Sequence, residues 1–128
     1  MTQTEGRDDV NAAFSRERLI RFSDCDPAGI VFYPQYFVMF NGLVEDWFNE
    51  QLGVIYSDLI SERRIGVPTV RLEVDFKAVS RLGDKVKLQL QVERVGGASL
   101  TLDFRCLGSD DDSLRMSMRQ VLVTTSLV

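Results

Sequence analysis

Large apolar residues recur at intervals of three and four over residues 34–52, which predicts a long amphipathic helix of roughly 28 Å. Pro34 fits the first turn of such a helix, and Gly53 suits its C-terminal end. The many aromatic side chains on one face indicate a helix that other elements enclose. This apolar face comprises Tyr36, Phe37, Phe40, Leu43, Val44, Trp47 and Phe48.

Further along the chain the apolar period changes to two, which predicts β-strands with one buried face. A short strand is also expected at residues 18–22, a second helix at 56–64 and a last strand at 114–125, whose core face the pattern does not assign. Gly96 and Gly97 predict a hairpin, and residues 109–113 form another turn. The predicted buried faces are Val70, Leu72, Val74 and Phe76; Val86, Leu88, Leu90 and Val92; and Leu100, Leu102, Phe104 and Cys106.

This order of elements predicts the α+β class, with one antiparallel sheet curled around one long central helix. The length of 128 residues fits one domain. We expect a flexible N-terminal tail over residues 1–14, because its start is polar and unlike a signal peptide, and a single domain over residues 15–128.

Composition narrows the chemistry. The net charge of −4 argues against nucleic-acid binding, and no apolar run has the length of a membrane span. The chain has no histidine, which excludes Ser-His-Asp and Cys-His catalysis and His-ligated zinc. We expect no metal and no cofactor, a cytoplasmic location, and two reduced cysteines, Cys25 and Cys106.

One loop carries the candidate chemistry. Asp26 lies just before the predicted helix start, where free backbone N–H groups bind negative charge. A positioned carboxylate and such a polarising amide suffice for attack on a thioester, without histidine. Asp-Pro pairs are also common in turns and caps, so the spacing alone leaves a structural role for Asp26 open.

The run Asp-Cys-Asp-Pro-Ala-Gly-Ile-Val-Phe-Tyr-Pro at residues 24–34, followed by an aromatic-rich helix, resembles the signature of the 4-hydroxybenzoyl-CoA thioesterase family of the hotdog-fold superfamily. The resemblance extends more weakly from Arg18 onward. It implies a five-stranded antiparallel sheet around the helix and hydrolysis of acyl-CoA to free acid and CoA. It also implies a homodimer or a homotetramer, a dimer of dimers, with active sites at the dimer interface.

The same resemblance implies roles for individual residues. Asp26 is the expected catalytic carboxylate, as nucleophile or general base, and the Tyr33 amide is expected to polarise the thioester carbonyl. Asp24 is expected to shape the loop. The expected substrate-binding residues are Gly29, Phe32, Asn41, Glu45, Val67, Pro68 and Arg94.

Three positions depart from the family pattern. Asn41 replaces an acidic residue that faces a ring hydroxyl, Val67 stands where threonine is frequent, and Arg94 lacks the usual basic neighbours for the CoA phosphates. These departures affect the substrate more than the reaction. We expect an aromatic, benzoyl-type or similar small acyl group.

Several alternatives stay open from the sequence. Glu45 is either a second acid or base or part of a solvated helix face, and Cys25 is either a nucleophile or a packed side chain. A non-catalytic acyl-thioester binding module and a thioesterase for acyl-carrier-protein substrates are the alternative functions. A hotdog dehydratase is disfavoured because such enzymes use a histidine.

Overall fold

The computed structural model describes residues 13–127 of the chain. Besides the helices and strands given in the next sentence, the chain has a 3-10 turn at Phe22–Asp24 and a π-helical turn at Phe48–Leu52. The elements are β1 (Phe14–Leu19), α1 (Pro34–Trp47), α2 (Tyr56–Ser61), β2 (Ile65–Gly66), β3 (Thr69–Phe76), β4 (Lys85–Val95), β5 (Ser99–Gly108), β6 (Leu114–Val123) and β7 (Thr125–Ser126).

Five antiparallel strands form one sheet in the order β1-β4-β5-β6-β3. The buried residues of β4, β5 and β6 alternate along each strand and face the apolar side of α1. The rings of Phe40 on α1 and Phe104 on β5 lie 4.9 Å apart at the centre of this core. The predicted α+β class, with a five-stranded sheet around one long helix, is therefore confirmed.

The ends of several elements differ from the prediction. The first strand begins at Phe14, a buried residue paired with Leu90, instead of at residue 18. The long helix loses its regular α-helical form after Trp47, and its π-helical turn ends at Gly53, whose φ of 70° fits the expected C-terminal stop. The expected tail lies outside the described residues up to residue 12, so its flexibility stays a prediction.

The inner face of β6, which the sequence did not assign, carries Met116, Met118, Gln120 and Leu122. Gln120 is the single polar residue in this buried series. A small ribbon of β2 and β7 was not predicted, since its strands have two residues each.

In the predicted buried face of β3, Val74 is partly buried against the core, whereas the burial predicted for the other three residues is wrong in the single chain. Leu72 is 41% exposed and Phe76 is 52% exposed, and Val70 is also exposed beside a bulge between Thr69 and Arg71. The physical reason is that β3 lies at the edge of the sheet, so β6 is its one hydrogen-bonded neighbour and its opposite side is uncovered. The helix α1 contacts β3 through the rings of Tyr36 and Phe76. An uncovered apolar edge strand is suited to pairing with another strand.

No helix within residues 13–127 combines the length and apolar character that a membrane crossing requires.

Candidate active site

The loop before α1 is a short two-armed turn with Asp26 at its tip. At its base the Phe32 amide donates to the Asp24 carbonyl at 3.0 Å, and nearer the tip the Asp26 amide donates to the Ile30 carbonyl at 2.9 Å. The turn closes through Gly29, whose amide donates to the Asp26 carbonyl and whose φ is 81°. Glycine tolerates this left-handed conformation without a steric penalty. The loop therefore holds Asp26 at a defined place.

The Asp26 side chain is partly buried, and one of its oxygens is engaged. Oδ1 accepts a hydrogen bond from the Ala28 amide at 2.9 Å, which fixes the carboxylate relative to the turn. Within residues 13–127, no donor contacts Oδ2. One oxygen of a positioned carboxylate is thus available for chemistry.

Asp24 has the structural role expected of it. It is buried, its Oδ1 accepts from Arg18 at 2.8 Å, and its Oδ2 accepts from the Arg21 amide at 2.9 Å. Because one oxygen is bonded to β1 and the other to the segment just after it, Asp24 anchors the base of the turn.

The Tyr33 amide is the free donor at the start of α1. The Gln35 amide donates to the Phe32 carbonyl at 2.8 Å, and the Tyr36 amide donates to the Tyr33 carbonyl at 3.2 Å. Pro34 has no N–H to offer. No acceptor among the described residues takes the Tyr33 N–H, so it remains available to a bound carbonyl oxygen.

A cleft of about 270 Å³ opens beside Tyr33, and Asp26 is not among the residues that line it. The Tyr33 ring packs edge-on against Phe76 at 6.0 Å, and Tyr36 forms the floor next to it. The cleft is lined by Val31, Tyr33, Tyr36 and residues 76–80. Its apolar walls lower the local dielectric constant, which strengthens electrostatic interactions with a bound carbonyl.

Three of the predicted substrate-binding residues meet in a second pocket of about 280 Å³, lined by Asn41, Glu45 and Val67 with Val44, Tyr56, Thr69, Gln120 and Leu122. The sequence did not identify Thr69 and Gln120. The Gln120 Nε2 donates to the Thr69 Oγ1 at 2.8 Å, whereas its Oε1 is buried without a partner among the described residues. The alternation of β6 offered a signal, because Gln120 interrupts an apolar series.

The two pockets are separated along α1. At 1.5 Å per residue, Asn41 lies about 12 Å along the helix axis from Tyr33. Gly29 and Phe32 lie on the aspartate loop, and Phe32 is exposed with its ring 5.7 Å from that of Tyr33. Within a single chain, the predicted site residues therefore lie in two groups. One group is at the start of α1 with Tyr33, and the other is at the middle of α1 with Asn41.

The remaining two predicted residues lie elsewhere. Pro68 directly precedes β3, and its carbonyl accepts from the Val123 amide at 3.1 Å. Arg94 is exposed on β4 beside a bulge and forms no ion pair with any residue in the described range. One chain does not bring Arg94 to either pocket.

Cys25 is poorly suited to act as a nucleophile. Burial raises the pKa of its thiol, and the negative charges of Asp24 and Asp26 raise it further. The thiolate, which is the nucleophilic form, is therefore disfavoured next to the carboxylate loop.

The chain matches a family model described as the Thioesterase-like superfamily over residues 20–127. Among curated proteins, the 1,4-dihydroxy-2-naphthoyl-CoA hydrolase of Synechococcus elongatus is 28% identical over 95 residues, which cover 73% of this chain and 69% of the relative.

Solved structures agree with this match. A gentisyl-coenzyme A thioesterase is 26% identical, with a TM-score of 0.80 and coverage of 88% of this chain and 89% of that one. The 1,4-dihydroxy-2-naphthoyl-CoA thioesterase from Synechocystis has the same fold, with a TM-score of 0.83, 22% identity, and coverage of 91% and 85%.

The sheet and the central helix are those of the hotdog fold, and the family match and the named relatives show a thioester hydrolase. The chain belongs to the Thioesterase-like superfamily. The predicted resemblance to hotdog-fold thioesterases is confirmed at this level, while the narrower assignment to the 4-hydroxybenzoyl-CoA family stays a prediction.

Proposed function

We propose that this chain hydrolyses an aromatic acyl-CoA to the free acid and CoA, with Asp26 and the Tyr33 amide acting on the thioester. The observation that carries the proposal is their placement on one loop. Asp26 occupies the tip of a hydrogen-bonded turn, and the second arm of that turn enters α1 at Tyr33, whose N–H is free.

Asp26 supplies the carboxylate by one of two routes. As nucleophile, Oδ2 bonds to the acyl carbon, the C–S bond breaks, and water then hydrolyses the mixed anhydride to the acid and the restored Asp26. As general base, Oδ2 takes a proton from the water that attacks the acyl carbon; the C–S bond then breaks, and the protonated Asp26 returns this proton to the departing sulfur. Both routes release one CoA thiol per thioester and require the same free carboxylate oxygen.

The Tyr33 amide stabilises the negative charge that develops on the carbonyl oxygen. The first-turn amides of Gln35 and Tyr36 are occupied, so Tyr33 acts as a single donor reinforced by the helix dipole. One such donor typically lowers the barrier by about 2.7–4 kcal/mol. This contribution explains how hydrolysis proceeds in a chain without histidine.

The second pocket is the proposed binding site for the acyl group. Its polar wall consists of Asn41, Glu45 and Gln120. Its apolar wall consists of Val44 and Val67. An aromatic ring that carries hydroxyl groups matches this combination. The relatives named above, which act on 1,4-dihydroxy-2-naphthoyl-CoA and gentisyl-CoA, support this substrate class.

The acyl pocket is proposed to come from a second copy of the chain. The separation of about 12 Å along α1 is too long for a small acyl group that is bound at Tyr33 to reach Asn41 of the same chain. The exposed edge of β3, with Leu72 and Phe76 uncovered, supports pairing of two sheets into a homodimer. Val38, 60% exposed on α1, supports contact between the two helices. A homotetramer would be a dimer of such dimers.

The CoA portion is proposed to lie along the surface, with Arg94 contacting a phosphate. Arg94 is exposed and has no anionic partner within residues 13–127, so its charge is available to a ligand. Phe32, exposed next to Tyr33, is placed to contact the pantetheine arm. Gly29 keeps the tip of the loop free of a side chain.

The test is a thiol-release screen with benzoyl, hydroxybenzoyl, dihydroxynaphthoyl, phenylacetyl and straight-chain CoA esters. The proposal predicts turnover, with hydroxylated aromatic esters having the highest kcat/KM. Preferential turnover of straight-chain esters would contradict the acyl assignment alone. Tight binding without thiol release would favour a non-catalytic binding module, and release only from acyl-carrier protein would favour the carrier-linked substrate.

A further inference from the structure

The segment between β3 and β4 holds the aspartate loop by backbone hydrogen bonds. The Val31 amide donates to the Ser80 carbonyl at 2.9 Å, and the Leu82 amide donates to the Gly29 carbonyl at 2.9 Å. Ile30 and Arg81 form an antiparallel bridge between these two bonds. The second arm of the loop is thus attached along its length to residues 80–82.

The same segment also holds the start of α1 through one side chain. The Tyr36 hydroxyl donates to the Ser80 Oγ at 3.0 Å, and both residues are buried. Tyr36 lies on the first turn of α1, where its own amide bonds to the Tyr33 carbonyl. Burial raises the pKa of the Tyr36 phenol, so this hydroxyl stays protonated and remains a donor.

Ser80 is in turn bonded to Arg115 of β6, which forms an ion pair with Asp84. The Arg115 Nη1 lies 3.2 Å from the Ser80 Oγ, 3.3 Å from the Val79 carbonyl and 2.9 Å from the Asp84 Oδ2. Asp84 also accepts from the Arg81 amide at 2.9 Å. These bonds fix the segment to the sheet at both of its ends.

Ser80 therefore contacts both segments that carry the proposed catalytic pair, although within residues 13–127 it is hydrogen-bonded to neither Asp26 nor Tyr33 directly. Its carbonyl bonds to the arm that follows Asp26, and its hydroxyl bonds to the helix turn that follows Tyr33. Covalently, the loop and the helix meet only at the Phe32–Tyr33 junction, where a small rotation would change the distance between carboxylate and amide. A connection through Ser80 restrains that rotation.

We propose that Ser80 is a positioning residue, which sets the aspartate loop and the first turn of α1 in the mutual orientation that catalysis requires. The Arg115–Asp84 ion pair keeps Ser80 in place. This inference rests on the proposed function, because it assigns Ser80 to the Asp26 and Tyr33 pair. Misplacement of reacting groups by about 1 Å can reduce turnover on the order of 100-fold.

The experiment compares Tyr36→Phe, Ser80→Ala and the double variant with the wild-type chain in steady-state thiol release. Each single variant is expected to lower kcat about 10- to 100-fold, while KM changes by less than about twofold. The double variant is expected to be about as slow as the slower single variant, because both remove the same connection. A purely structural role would lower stability without this effect on kcat.

Ser61→Ala is the matched control, since it removes the same kind of hydroxyl group from α2, where the Ser61 Oγ donates to the Ser57 carbonyl at 2.7 Å and neither residue lines either pocket. It is expected to leave kcat unchanged. Tyr36→Phe keeps the ring, so it decides the question if Ser80→Ala does not fold.

The inference and the proposed function fail in distinguishable ways. If the wild type is active, Asp26→Asn is inactive and folded Tyr36→Phe turns over at the wild-type rate, the positioning role alone is overturned. Additive losses in the double variant also overturn it. If the wild type hydrolyses no thioester, the proposed function fails and this inference fails with it.

Discussion

Leu72 on β3 and Gln120 on β6 are register partners, yet Leu72 is 41% exposed and Gln120 only 6% exposed. Both side chains point to the face of the sheet that α1 covers, because paired residues share a face. The core covers Gln120 on β6 and leaves Leu72 on β3 exposed. The exposed apolar side chains of β3 therefore lie beside the buried core at the edge of the sheet. The first prediction below concerns Leu72 on the exposed strand, and the second concerns Gln120 on the neighbouring covered strand.

The first prediction concerns assembly. Leu72→Lys is expected to convert the proposed dimer into a monomer, because it would place a charge in the proposed apolar contact between two β3 strands. Light scattering after gel filtration measures the change in mass. Leu19→Lys is the matched control, since Leu19 is similarly exposed at the opposite edge of the sheet and should leave the dimer intact. A wild-type monomer, or an unchanged mass for Leu72→Lys, would contradict the predicted interface.

The second prediction concerns substrate choice. Gln120→Met removes the unpaired buried oxygen and keeps a side chain of similar length. The preference of the variant for hydroxylated over unsubstituted aroyl-CoA is expected to fall about 10-fold or more. The reason is that the Gln120 Oε1, which would accept a hydrogen bond from a ring hydroxyl, is gone.

The ratio of the two kcat/KM values measures this effect for wild type and variant. Stability should change little, because an apolar replacement leaves no buried polar group at position 120, and the exposed Thr69 hydroxyl can bond to water in place of Gln120. An unchanged ratio would show that Gln120 takes no part in acyl recognition.

The third prediction tests the Tyr33 amide directly. Tyr33→Pro removes this N–H without breaking a bond, and the φ of −53° at this position suits proline. We expect kcat to fall about 100- to 1,000-fold, the typical loss for one oxyanion donor. Tyr33→Ala retains the amide and removes the ring, so it should lose far less. Equal kcat values for the two folded variants would mean that the amide does not polarise the carbonyl.

The fourth prediction concerns acid stability. The Arg81 amide, followed by the Arg115 side chain, lowers the pKa of Asp84, so the folded state binds its proton less tightly than the unfolded state. The resulting stabilisation is present above the unfolded pKa of about 3.9 and disappears as the pH falls through the folded pKa.

Urea unfolding of wild type and Asp84→Asn measures this contribution. The difference in unfolding free energy should be largest near neutral pH and shrink in acid. The Ser113 amide lowers the pKa of Asp111 as well, so Asp111 also makes the unfolding free energy depend on pH. The comparison is therefore repeated in the Asp111→Asn background. A difference that stays constant with pH would refute the assignment to Asp84.

The sequence predicted those parts of the fold that depend on local pattern. The alternation of β4 and β5 identified buried Leu88, Leu90, Leu102 and Phe104, because central strands have a covered face. The same alternation failed for Leu72, since burial at an edge depends on what lies beside the strand. Strand order is a long-range property that a period of two does not contain.

The candidate site shows the same division. The aspartate loop was recognisable because Asp26 and Tyr33 lie within one continuous motif. Ser80 and Gln120 come from distant segments that folding brings to the loop and the pocket. The alternation of β6 marks Gln120 as a polar residue in an apolar series but does not say which pocket it lines, and Ser80, in a connecting segment, has no such periodic signal.

The most direct test of the central claim is thiol release by wild type and Asp26→Asn at equal concentrations of folded protein. Asparagine retains the oxygen that accepts from the Ala28 amide, so the loop should persist while the anionic oxygen is lost. Asp110→Asn, at an exposed turn position, controls for the loss of one charge. We expect at least about a 100-fold loss of kcat for Asp26→Asn and wild-type rates for Asp110→Asn. Turnover by Asp26→Asn within a few-fold of wild type would contradict the account.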